Sequence, residues 1–384
     1  MRYDHMPFFD NHSHPLDPNR LSMTPDEFAR EWLHGFRDLP NDQVSDELCY
    51  HVHHLGCVQT VVHLLAQHFG CEETIEAVTE ARNQRVAKLG VKGWAAELGK
   101  DAGIFCTLID SDLPWKDPTL DLFYGSVLRH IQMDGIFFKL LETKGSFAEV
   151  RQAFIDKITE MAHTGYVSIK SHLGELFGME IRYVSPEEAE AAFADAKAGR
   201  KDARRTLYYA IFHQAMLTAH ELSLPIHVHT GITGGYWDGH MDDADPYKMA
   251  PFLRNVPHMQ ETVLVLLHSN YPYMGGAAMM AHTFPNVYVD LAWVLPWTAL
   301  DFERALLDLL ANAPTTKILL GSGQHNIPEI AWTASLVARR ALSHCLGRMV
   351  LEDLISEKQA DALASNLLYR NACRLYNVPE PAMG

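Results

Sequence analysis

Eight short runs recur along the chain, the first with apolar residues leading into an acid and two histidines and the other seven apolar and β-favouring. They are Pro7 to Pro15, Ile104 to Ile109, Gly135 to Leu140, Tyr166 to Ile169, Pro225 to Val228, Thr262 to Leu267, Val287 to Leu291 and Lys317 to Leu320. Most are separated from the next by enough residues for a helix. That spacing predicts βα units, and eight of them close into an α/β fold of the (β/α)8 TIM-barrel type. A barrel of this kind needs about 250 residues, whereas this chain has 384. The excess falls mainly between the first two runs, where Thr24 to about Lys100 has helical periodicity. Thr24, Pro25 and Glu27 have the order of a capping box with proline at the first helical position, and Gly70 and Gly99 are expected helix stops. We therefore expect one domain, residues 1–384, with a helical insertion over about 20–100 after the first strand, covering the barrel or making an oligomer contact.

Hydrophobic residues make up 47% and charged residues 21% of the chain, which argues for a packed core and against disorder. The formal net charge of −16 repels phosphate backbones and anionic lipid, so the expected partner is a small-molecule substrate, with no nucleic acid and no membrane. No run reaches the ~18 apolar residues of a membrane span, and there is no signal-peptide pattern. The six cysteines lack CxxC spacing and read as reduced thiols of a cytoplasmic protein. A homo-oligomer is expected. Histidine is abundant, with 22 copies.

In such a barrel, functional groups sit where strands end and loops begin. The first run ends Asp10-Asn11-His12-Ser13-His14, and residues two apart on a strand point the same way, so His12 and His14 can share one metal ion. The fifth ends His227-Val228-His229, again two imidazoles on one side, and the sixth ends in His268. The fourth ends in Lys170, a costly group to bury charged and unpaired. Burial favours its free amine, and a free amine beside metal ions can take up carbon dioxide as a carbamate. Pairing with Glu175 or Glu180 is the plainer alternative. The histidines between Cys49 and Cys57 lie in a helical pattern and are not read as ligands. Tyr236 and Trp237, in the glycine-rich loop after the fifth run, and Trp293, after the seventh, are candidate pocket walls, together with His227.

These fragments, with Lys170-Ser171, His229-Thr230-Gly231, Leu267-His268-Ser269-Asn270-Tyr271-Pro272, Gly321-Ser322, Ile327-Pro328-Glu329 and the C-terminal Tyr369 to Tyr376, give the chain a resemblance to the amidohydrolase superfamily. It is similar to the branch of FluG-type amidohydrolases and TIM-barrel metal-dependent hydrolases, over nearly its whole length. The resemblance implies that His12 and His14 bind a first metal and that a carboxylated Lys170 bridges to a second held by His229 and His268. His227 is a substitute ligand or pocket residue, and Asp290 a positioning acid. It further implies zinc, two ions, with manganese or iron as alternatives. Hydrolysis of an amide or ester bond of a small organic substrate by a metal-bridging hydroxide would follow, with γ-glutamyl or related small amides as substrates. A single-metal decarboxylase or hydratase, and an inactive ligand-binding barrel, are the alternatives.

The departure from that pattern is at the eighth strand. Relatives read Gly-Ser-Asp there, with the aspartate moving protons, whereas this chain reads Gly321-Ser322-Gly323-Gln324-His325. Gly323 thus stands at the catalytic position of a missing acid. The chain is then an activity-suppressed version, a natural degenerate member, or one in which His325 or Gln324 reaches in instead. On this reading activity is impaired and Gly323→Asp should raise turnover.

Overall fold

The computed structural model describes residues 2–33, 44–232, 240–300 and 302–382. Eight parallel strands follow one another around a barrel in chain order. They are β1 (Phe8–Ser13), β2 (Ile104–Ile109), β3 (Ser126–Gln132), β4 (Ser168–Ser171), β5 (Ile226–His229), β6 (Leu264–Leu267), β7 (Val287–Asp290) and β8 (Ile318–Leu319). Each pairs with the next in parallel register. The seam between β8 and β1 is closed by main-chain bonds from Asn11 N to Leu320 O (3.0 Å), Gly323 N to His12 O (2.8 Å) and His14 N to Gln324 O (2.8 Å). The chain just beyond β8 is therefore laced directly to the two histidines of β1. Most strand residues are buried, because helices cover the outside while side chains fill the inside.

The insertion after β1 is helical as expected. It contains α1 (Pro25–Arg30), α2 (Asp46–His53), α3 (Gly56–Phe69) and α4 (Ile75–Asp101). Thr24 and Glu27 form the reciprocal capping box, and Gly70 caps α3 in the left-handed region. Gly99 does not stop α4, which runs on to Asp101; the left-handed turn falls at Gly103. The insertion docks through a buried ion pair, Arg82 Nε to Glu329 Oε1 at 2.9 Å, and Trp94 donates to the same oxygen at 2.8 Å. Glu329 opens the long helix Glu329–Leu351, so α4 is tied to the segment that follows β8.

The third strand lies elsewhere than expected. Gly135 to Leu140 belongs to α5 (Met133–Thr143), whose buried Met133, Phe137 and Leu141 recur at helical spacing. The strand itself, Ser126–Gln132, carries Arg129, His130 and Gln132, and these polar side chains break its apolar signature. All six cysteines are free. Among the described residues, no helix is long and apolar enough to cross a membrane.

Candidate metal centre

Among the described residues, eight histidines form one connected set inside the barrel and at the ends of its strands. His12 is central: its ring lies 5.0 Å from His14, 5.6 Å from His130 and 5.8 Å from His268, centroid to centroid. His268 in turn lies 4.5 Å from His229, and His229 lies 6.0 Å from His172. The expected residues of β1, β5 and β6 therefore do meet. Burial first, then the neighbouring His14, Lys170, His130 and His268, hold His12 well below the ordinary imidazole pKa. A neutral ring keeps a lone pair for a cation.

The placement of His268 rests on a strained turn. His268, Ser269 and Asn270 all have positive φ, at 65°, 49° and 60°, a conformation that non-glycine residues adopt only when surroundings enforce it. Here Thr230 Oγ1 accepts from Asn270 N (3.0 Å), Ser269 Oγ donates to Asp290 O (2.7 Å), and Asn270 Nδ2 donates to Asp245 Oδ1 (3.1 Å). His268 Nδ1 donates to Ala292 O at 2.7 Å, which fixes the tautomer and leaves Nε2 as the acceptor facing inward. Gly231, with φ of 72°, is required next to this turn, because a Cβ there would come within 2.5 Å of the Asn270 carbonyl carbon.

Lys170 is buried at the centre of the site. Its Nζ lies 2.8 Å from His172 Nε2 and 3.4 Å from Asp110 Oδ2. Neither of those residues was anticipated as part of the site, and neither was Asp134, which accepts from His172 Nδ1 at 2.6 Å. Burial and the Lys170 charge work against protonating His172, yet the Asp134 bond keeps its pKa above the usual value. Burial likewise opposes ionisation of Asp134, but the bonds from His172 and Tyr208 hold its carboxyl below the usual range. Asp134 sits in the first turn of α5, the segment misassigned as a strand.

Among the described residues, two sets of side chains could hold a metal ion. In one, the ligand atoms of His12, His14 and Asp110 all lie within 4.8 Å of one another; in the other, those of His172, Glu175 and His229 do. These donors suit a divalent ion of the zinc, manganese or iron kind. His229 Nε2 is 3.4 Å from Glu175 Oε1, so the alternative partner expected for Lys170 faces His229 instead. Asp110 follows β2 directly and is legible by the strand-end rule. His172 and Glu175 follow β4 by one and four residues. His130, on the misplaced strand, reaches His12 Nδ1 at 3.5 Å and is fixed by Ser168 Oγ at 2.7 Å.

His227 does not line the mouth. It is fully buried in the barrel, bonded to Tyr376 Oη at 2.8 Å and packed 4.4 Å from the His130 ring. Trp293 lies beside His268, with its ring stacked on Trp297. Tyr236 and Trp237 fall outside the described residues. Asp290 is a positioning acid, accepting from Asn11 Nδ2 (2.7 Å) and Ala292 N (2.6 Å).

Gly323 is not an empty place awaiting an acid. Its φ is 61°, and a Cβ would meet Trp293 N at 2.7 Å and Trp293 Cα at 2.8 Å. The backbone of the loop after β7 occupies the space from which a side chain would start. Of the two neighbours proposed to reach in, Gln324 turns to Ser13 Oγ (3.3 Å), whereas the His325 ring stacks on His14 with centroids 3.7 Å apart.

A family model described as Amidohydrolase matches residues 64–378. Protein fluG of Emericella nidulans is 32% identical over 157 residues, which cover 41% of this chain and 18% of fluG, so the chain spans under a fifth of that relative. Among solved structures, a Lactobacillus casei protein provisionally described as a metal-dependent hydrolase superposes with a TM-score of 0.83 at 20% identity, covering 98% of this chain and 96% of its own. Uronate isomerase of Thermotoga maritima superposes at 0.70 with 16% identity, over 96% of this chain and 94% of its own. At such identities the structures establish the shared barrel.

Proposed function

Because the chain belongs to the amidohydrolase family, we propose that it is a metal-dependent hydrolase that cleaves an amide or ester bond of a small organic substrate at the mouth of the barrel. The observation that carries this reading is the convergence of the His12, His14, His229 and His268 rings from three strand ends on a site that also holds the buried Lys170. When bound, a divalent ion supplies Lewis acidity to polarise a carbonyl and to acidify water. His12 and His14 would hold one ion, and His229 a second, together with His268 or with the His172 and Glu175 of its own ligand set. Lys170 lies between residues of the two ligand sets, touching Asp110 on one side and His172 on the other. Carboxylation of its amine by carbon dioxide, with release of a proton, would give an acid facing both. Asp134 holds His172 in orientation, and Ala292 O does the same for His268. Trp293 supplies an apolar wall beside His268. His325, whose ring stacks on His14, would hand a proton to the departing amine or alcohol.

The test is turnover of a panel of small amides and esters by chelator-stripped protein and by protein reloaded with zinc, manganese or iron. The reading expects hydrolysis only after reloading, lost in His12→Ala and His268→Ala. Loaded protein that hydrolyses no member of the panel would count against it. A second reading is a single-metal decarboxylase or hydratase, favoured by the contacts that Lys170 makes as a plain amine with Asp110 and His172. Near two ions per chain supports the hydrolase, and near one supports the alternative.

A further inference from the structure

We infer that Asp110, at the end of β2, is the carboxylate that completes the cation site of His12 and His14, taking the part that an acid after β8 plays in similar barrels. This rests on the metal-dependent reading of the site and deepens it.

β1 carries His12 and leads straight into His14, and its barrel neighbours are β2 on one side and β8 on the other. An acid that reaches a cation on His12 and His14 by the shortest path comes from one of those two strand ends. The β8 side is closed: the Trp293 backbone fills the place of a Cβ on Gly323, and Gln324 turns to Ser13. On the β2 side an acid is already in place. Asp110 N donates to Ser13 O at 2.8 Å, which continues the strand pairing past β2 and sets the acid between the levels of His12 and His14. Its ligand oxygen lies within 4.8 Å of the ligand nitrogens of both.

The condition of that carboxylate points to a cation. Asp110 is 2% exposed, and neither side-chain oxygen accepts a hydrogen bond. A buried carboxylate in this state is unfavourable by several kcal/mol unless a positive charge faces it. The Lys170 ammonium approaches Oδ2 alone, at 3.4 Å, and it also contacts His172 at 2.8 Å. Oδ1 is left without a donor, in a corner of the site where two imidazoles also converge. A divalent ion there satisfies all three.

The competing account is that Asp110 only neutralises Lys170, and the experiment separates the two. Full-length protein is stripped with a chelator and titrated with Zn2+ against a chromophoric competitor, with folding followed by circular dichroism. Loss of an outer partner of a metal ligand weakens affinity 10- to 100-fold, so Asp110→Asn is expected to weaken the first ion by about 100-fold or more. The same loss is expected when Asp110→Asn is made in a Lys170→Met background. Affinity within about twofold of the parent in either background overturns the assignment. Should Asp110→Asn misfold, Co2+ binding to Asp110→Cys decides: a thiolate-to-cobalt charge-transfer band, or loss of binding by a folded variant, supports ligation, and bound cobalt without the band refutes it. If the unmodified protein binds no divalent ion, the metal-dependent reading itself fails; if it binds one tightly and Asp110→Asn does too, only the role of Asp110 fails.

Discussion

Placing an aspartate at position 323 tests whether this glycine marks a lost catalytic group or a backbone requirement. The φ of 61° puts an L-residue in the left-handed region, at roughly 1–2 kcal/mol. The new Cβ would lie 2.7 Å from Trp293 N and 2.8 Å from Trp293 Cα, and relieving such overpacking costs typically about 1–3 kcal/mol. Together Gly323→Asp should destabilise the fold by about 2–5 kcal/mol. For 384 residues, unfolding entropy near 0.8 kcal/mol/K follows from about 2.1 cal/mol/K per residue, so Tm should fall by roughly 2–6 °C. The displacement has a route to the site, because Gly323 N donates to His12 O and Trp293 N donates to Ser322 O. Weaker ion binding and no gain in turnover are therefore expected. Gly323→Ala carries the same clash without the acid and should lose comparable stability. Differential scanning calorimetry with parallel assays on the amide and ester panel measures both effects. An aspartate variant as stable as its parent and several-fold faster would refute this reasoning and restore the idea of a missing acid.

Other perturbations follow from the same geometry. Glu329→Gln keeps a hydrogen-bond acceptor for Trp94 but leaves buried Arg82 without its counter-charge; breaking such a pair costs about 3–5 kcal/mol, and a urea-unfolding change under about 1 kcal/mol would contradict it. The Asp290 carboxyl, pushed up to about 7 first by burial and then by the nearby Asp10 charge, against the bonds from Ala292 and Asn11, gives a pH signature. Because its folded pKa is raised, its contribution to stability is full below the unfolded value near 3.8 and is lost as pH rises to about 7. The stability of the parent relative to Asp290→Asn should therefore fall by roughly 4 kcal/mol across that window and stay level above it; a flat difference would show that Asp290 is ionised in the fold throughout.

The barrel was largely legible in the sequence because seven of its strands fall in short runs that begin with or contain apolar, β-favouring residues, spaced to leave room for helices. β3 was not, since Arg129, His130 and Gln132 interrupt it, and an apolar helix of similar length next door offered a better-looking run. The histidines His12, His14, His229 and His268 were legible because they end strands. Asp110 ends one too, and was passed over because a lone acid after a strand is unremarkable until its neighbours are known. His172, Glu175 and Asp134 enter through turns and a helix start, where sequence spacing carries no directional information. Gly323 shows the opposite difficulty. Read as a string it is an absence, but in three dimensions it is the residue that lets the Trp293 backbone pass.

The most direct test of the metal centre is anomalous diffraction at the absorption edge of zinc or manganese, from crystals of the full chain grown with that ion. The account predicts a peak at roughly 2.0–2.2 Å from the nitrogens of His12 and His14 and an Asp110 oxygen. A well-ordered map with those three side chains in place and no peak among them would contradict it.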